Sequence, residues 1–188
     1  MNRKFRCVHI ADVHFRGLTR HDQYRKSFSN FFEQMQDVKP DVIFVGGDIV
    51  HSKTQGISPE LIDILTWWFR KLSESALHVH VILGNHDGLI LNRERQDAIT
   101  PILEALNLKN VYLHKESGTY KTHIPGYNLC VFSCFDEENW KNVKPVDKDI
   151  NIACFHGSVV GSLTDIDWEL EGEIEASFFD AFDFAFLG

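Results

Sequence analysis

No stretch of this 188-residue chain is apolar for long enough to span a bilayer. It holds no repeat, no low-complexity tract and no Pro/Gly-rich linker. These absences exclude a helical membrane protein, a solenoid and a string of linked modules. The start, Met1-Asn2-Arg3-Lys4-Phe5-Arg6, is basic but lacks the apolar core and cleavage site of a secretory signal, so a cytosolic protein is expected. Positive charge is in deficit too: 19 Lys and Arg stand against 27 Asp and Glu, a net charge of −8, which argues against a broadly basic nucleic-acid surface. There is no Cys-x-x-Cys pair. The four cysteines are expected to be free thiols, Cys7 and Cys154 inside core strands and Cys130 and Cys134 on one face of another strand.

What is present describes one well-packed domain. Fifteen Phe and four Trp can fill a core, and 44% of the residues are hydrophobic. Strands are expected at residues 5–11, 41–45 and 77–83, alternating with helices at 23–36, from Ser58-Pro59-Glu60 onward, and at 100–106. Ser58 is placed to cap and Pro59 to open the second helix, whose Leu61, Ile64, Leu65, Trp68, Phe69 and Leu72 form one apolar stripe. Beyond residue 110 the texture changes to shorter strands at 111–113, 119–124, 128–133, 150–155 and 182–187, with Gly126 in a hairpin turn. The front half calls for a parallel sheet under helices and the back half for a second, mixed or antiparallel sheet. An α/β sandwich of two sheets with outer helices fits best.

Four segments follow the apolar runs: Asp12-Val13-His14, Gly46-Gly47-Asp48, Gly84-Asn85-His86-Asp87 and Phe155-His156-Gly157. Functional loops of open α/β sheets gather at such carboxyl ends. Asp12, His14, Asp48, Asn85 and His156 make a hard-to-borderline donor set suited to two divalent ions. Basic residues cluster beside these segments: Arg16, Arg20, Arg25 and Lys26 after the first, Lys53 after the second, Arg93 and Arg95 after the third. As a group they could hold a phosphate backbone, with Arg16 and Arg20 the named candidates. The acids concentrate at 165–175, where a solvated or partner-facing edge is expected.

The ordered set resembles the calcineurin-like metallophosphoesterase superfamily over nearly the whole chain. The resemblance implies its αββα sandwich, with Asp12 and His14 on one metal, Asp48 bridging both, and Asn85 and His156 on the second. It implies a hydroxide attacking phosphorus in line and His86 as general acid. Asp87 either orients His86 or caps the following turn. Protein Ser/Thr phosphatases of the superfamily carry Gly-Asp-x-x-Asp-Arg-Gly and Gly-Asn-His-Glu, and neither occurs here. Residues 9–14, His-Ile-Ala-Asp-Val-His, and Gly47-Asp48-Ile49-Val50-His51-Ser52 look instead like the SbcD-type DNA double-strand-break repair nucleases and related phage recombination nucleases.

That closer resemblance implies a DNA exo/endonuclease of repair or recombination. Mn2+ is the expected ion, with Zn2+, Fe2+ and Mg2+ chemically open. His51 would assist catalysis or position DNA. An SMC-like ATPase is the implied partner, and a homodimer through helix 23–36 is a further expectation. The family's final Gly-His-x-His would begin at Gly188. The resemblance thus implies a domain incomplete at its carboxyl end, lacking the capping domain and the ATPase-binding segment, with reduced metal affinity and weak activity on its own. Two other readings stand beside it. One is a phosphodiesterase or phosphomonoesterase for small substrates, which a deep pocket would favour. The other is a non-catalytic scaffold for DNA or an ATPase. His9, His21, His78, His80, His114 and His123 are read as structural or exposed, and Trp67 as a flank of the core rather than a base platform.

Overall fold

The computed structural model describes residues 4–51, 57–92, 95–163, 167, 169, 171–172 and 174–188. The expected helix period of the front half builds three crossovers: α1 (His21–Val38), α2 (Pro59–Ser75) and α3 (Thr100–Leu106). They connect four parallel strands, β1 (Cys7–Ile10), β2 (Val42–Gly46), β3 (His78–Ile82) and β4 (Val111–His114), which lie side by side in chain order. The second sheet runs β5 (Gly118–Lys121), β6 (Tyr127–Phe132), β7 (Ile150–Phe155) and β8 (Phe184–Leu187), also in chain order. Its β5–β6 pair is an antiparallel hairpin turned at Gly126, whose φ of 82° suits glycine, and its other pairs are parallel.

Period-2 alternation sorts the core into layers. On β2, Ile43 and Val45 face α1 and α2, while Phe44 points between the sheets. On β6 and β7, Leu129, Val131, Ile152 and Cys154 meet Phe44 and Ile82 in that middle layer. Their neighbours Cys130, Phe132, Ala153 and Phe155 pack outward with Val143, Val159 and Phe179. Every residue of β2 is buried because its sheet is covered on both faces.

Helix α2 starts as its sequence dictates. The Ser58 hydroxyl accepts from the Leu61 amide at 3.1 Å, and Pro59 needs no partner at the first position. Its apolar stripe is buried throughout. Each such side chain contributes roughly 1.5–3 kcal/mol, and Trp68→Ala at the centre would cost about 3–5 kcal/mol.

Two details differ from expectation. Residues 111–114 join the first sheet as its parallel edge strand, because the α3 crossover returns the chain beside β3. Cys134 lies past the end of β6 with its thiol directed at the Leu83 carbonyl (3.6 Å), so it does not share a strand face with Cys130. None of the four cysteines is in a disulfide. Among the described residues no helix is long and apolar enough to cross a membrane. Much of the acidic 165–175 run lies outside the described residues.

Candidate metal centre

The four loops after β1, β2, β3 and β7 converge because their backbones are laced together. The first loop pairs with the second through Asp12 N–H to Gly47 (3.2 Å), His14 N–H to Asp48 (2.9 Å) and Phe15 N–H to Ile49 (2.8 Å). Phe15 anchors this lacing, buried against Tyr24, Phe28 and Trp68. The buried Asp87 joins the second loop to the third, accepting from the Val50 and Gly84 amides at 2.9 Å each. Gly47, at φ 94°, lets the loops touch: a Cβ there would lie 2.7 Å from both Gly84 N and His156 Nδ1. Asp12, His14 and Asp48 all hold left-handed backbone (φ 54°, 51° and 50°), a strained conformation for β-carbon residues that concentrates at functional sites.

Asp48 is the centre. Its Oδ1 lies 3.2 Å from His156 Nε2, and its Oδ2 lies 3.5 Å from His14 Nε2 and 3.9 Å from His86 Nε2. Two donor groups result, His14–Asp48–His86 and Asp12–Asp48–His156, each with its atoms within 4.8 Å of one another. Asp12 Oδ1 is 3.8 Å from His14 Nε2 and links the two. The Asn85 side-chain amide stands 3.2 and 3.3 Å from the two Asp48 oxygens, where its nitrogen can donate to that carboxylate. The same amide, turned over, offers its oxygen as a donor to a cation. These carboxylates, imidazoles and an amide oxygen fit divalent ions.

Two of the imidazoles are fixed through Nδ1. His156 Nδ1–H donates to the Gly46 carbonyl (2.8 Å) and His86 Nδ1–H to the His51 carbonyl (2.7 Å), so each turns Nε2 toward Asp48. Burial alone would raise the Asp48 carboxyl. The hydrogen bond to His156, the His86 amide (2.8 Å) and the charges of both rings outweigh it and hold Asp48 below the usual carboxylate range. Burial opposes protonation of His156, but its hydrogen bond to Asp48 and that residue's charge prevail and raise it. His51 is lowered, by slight desolvation and then by Arg16, His14 and His86. Burial pushes Asp87 up to about 7 against the pull of its two amide donors.

The structure therefore brings together Asp12, His14, Asp48, Asn85, His86 and His156, with His51 beside them. The His51 ring lies 5.7 Å from that of His14 and 6.3 Å from that of His86. Neither reading of Asp87 matches its contacts: its carboxylate oxygens accept from Val50 of the second loop and Gly84 before it rather than from the turn that follows, and the His86 ring bonds the His51 carbonyl. Arg16 is near enough to depress His51, whereas Arg20 is exposed at the start of α1, engaged there through its carbonyl. Arg25 is turned to α2, paired with Asp63 (2.6 Å) and stacked over Trp67. Lys53 and Arg93 lie outside the described residues. Trp67 is a core flank, edge-on to Phe32. The sequence reading missed Trp140, which lines a cavity of about 750 Å³ shared with Asp12, Asp48, Asn85 and His156. No periodicity marks it, because it sits in a 3-10 turn.

A two-sheet sandwich with carboxylate-bridged donor groups at its strand ends defines a metal-dependent phosphoesterase class. The chain belongs to the calcineurin-like phosphoesterase family, whose profile matches residues 5–185. An uncharacterised protein of Acanthamoeba polyphaga mimivirus is 33% identical over 96% of this chain and 14% of its own length. DNA double-strand break repair protein Mre11 of Methanopyrus kandleri is 24% identical over 85% of this chain and 39% of its own. The chain thus spans well under half of either relative. Among solved structures, Pseudomonas putida nuclease MPE aligns with 92% of this chain and 74% of its own, at 14% identity and a TM-score of 0.42.

Proposed function

We propose that this domain hydrolyses phosphodiester bonds of DNA with two divalent ions, Mn2+ being the expected pair. The observation that carries the reading is the division of the two Asp48 oxygens between His156 on one side and His14 and His86 on the other. When bound, the ion pair supplies Lewis acidity and makes water acidic enough to attack at neutral pH. Asp48 fixes the separation of the two donor groups, and Asp12, His14, Asn85 and His156 complete them. His86, fixed through Nδ1, holds a proton on Nε2 when charged and passes it to the leaving oxygen. Arg16 adds positive charge at the mouth, and the His51 imidazole positions the phosphate through hydrogen bonding. Asp87 acts through the loops it ties.

DNA as substrate is supported by the Gly47-Asp48-Ile49-Val50-His51-Ser52 segment and by relatives named for DNA double-strand break repair. An SMC-like ATPase partner, a homodimer through α1 and a cytosolic location belong to the same reading of the whole protein. A second reading, a hydrolase of small phosphate esters, is favoured by the 750 Å³ cavity beside the donors. Incubation with Mn2+, linear DNA and bis-p-nitrophenyl phosphate separates them. The proposal expects DNA degradation. Hydrolysis of the small diester with DNA left intact decides for the second reading.

A further inference from the structure

We propose that the cavity beside the donor groups is a nucleobase pocket, with the face of Trp140 as its stacking platform. The inference rests on the phosphodiesterase reading above and names what sits next to the phosphate. Trp140 belongs to the short 3-10 helix Glu137–Asn142. Its Nε1–H donates to the Ser133 carbonyl at 2.8 Å. Its ring is clamped nearly edge-on against Phe155 (5.5 Å, 87°) and Phe132 (6.2 Å, 89°), and tilted at 61° to Phe178. The indole is thereby immobilised, yet it remains half-buried and lines the cavity that Asp12, Asp48, Asn85 and His156 also line. A rigid aromatic surface stacks a flat ring at little entropic cost.

The cavity's charge selects which part of a nucleotide enters. Among the described residues lining it there is no Lys or Arg, and Glu137 adds a carboxylate on the Trp140 side. Away from the metal donors Asp12 and Asp48, a phosphate backbone threaded through would meet the Glu137 carboxylate and, among the described lining residues, no Lys or Arg. A neutral ring meets Trp140, Ile90, Val159 and Ile174 instead. The phosphate then stays at the donor groups while its base leaves the nucleic-acid stack and lies on Trp140.

The test compares binding of deoxyadenosine 5′-monophosphate and 2-deoxyribose 5-phosphate to the Mn2+-loaded protein by calorimetry. These ligands share the phosphate and differ in the base. The mononucleotide is expected to bind about 10-fold more tightly, the size of one base–aromatic stack. Trp140→Leu should bring the ratio close to one, and Trp140→Phe should restore most of it, with thermal melting confirming that both variants fold. Equal affinities in the parent protein, no measurable mononucleotide binding, or a preference that survives in folded Trp140→Leu would each overturn the proposal. Failure of the DNA reading shows separately, as intact DNA alongside a hydrolysed small diester. The base preference is still decided by the binding ratio in that case.

Discussion

The ten histidines include two clusters of four, and their difference explains where chemistry can occur. His14, His86 and His156 surround Asp48 at the carboxyl ends of the strands, with His51 against the His14 and His86 rings. His78, His80, His114 and His123 stack with Tyr112 and Tyr120 beside the β5–β6 hairpin. In the second cluster His80 Nε2–H donates to the Thr122 carbonyl (3.3 Å), leaving Nδ1 to accept from His114 Nε2–H (2.9 Å). That is a closed chain of neutral rings. Burial and the neighbouring imidazoles push His80 down to about 3 and His114 to about 4. In the first cluster carboxylates face the rings and His156 is raised. Among the described residues, only groups containing Asp48 place three donor atoms within 4.8 Å. Imidazoles without anions pack, whereas imidazoles around a shared carboxylate can hold cations.

The comparison breaks most sharply at Asp48. Asp48→Ala should cut hydrolysis by about 10³-fold or more, since it removes the donor both groups share. Unchanged turnover in a folded variant would end the bridging account. Next, His86→Ala should lower the rate about 10²–10⁴-fold on DNA and much less on a p-nitrophenyl ester, whose leaving group needs no proton. Metal content should stay near that of the parent. A loss of bound ion would make His86 a ligand instead.

The second cluster should respond to pH and leave catalysis alone. His80 and His114 are neutral in the fold, with pKa values below the roughly 6.5 of an unfolded histidine. Their contribution to stability is complete above about pH 6.5. It is lost as pH falls toward 4 and then 3, because the unfolded chain takes up protons that the folded one refuses. Urea midpoints measured between pH 7 and 5 should fall, and the double substitution His80→Leu with His114→Leu should flatten that slope while metal content is unchanged. A slope that persists in the double variant places the acid sensitivity elsewhere. The smallest effect is expected for Arg16→Ala, a rise in KM for DNA of about two- to fivefold that shrinks as salt screens it. A salt-independent change would argue for a structural role.

The sequence displayed the site more fully than the sheet arrangement. Asp12, His14, Asp48, Asn85 and His156 were legible because each ends an apolar strand, and strand ends meet in parallel sheets whatever the packing details. The stripe of α2 was legible from its period alone. Residues 111–114 were harder, since a short apolar run carries no sign of which sheet it joins. Only the α3 crossover decides that. The role of Asp87 was ambiguous because both of its partners, Val50 and Gly84, are backbone amides, invisible in residue identity. Trp140 was missed since its importance comes from Phe132, Phe155 and Phe178 closing around it in space.

The most direct test of the shared-carboxylate centre is the number of Mn2+ ions bound per chain, measured by equilibrium dialysis for the parent protein and for Asp48→Ala. The account predicts close to two ions in the parent and the loss of both sites in the variant. Two ions retained at unchanged affinity without the Asp48 side chain would contradict it.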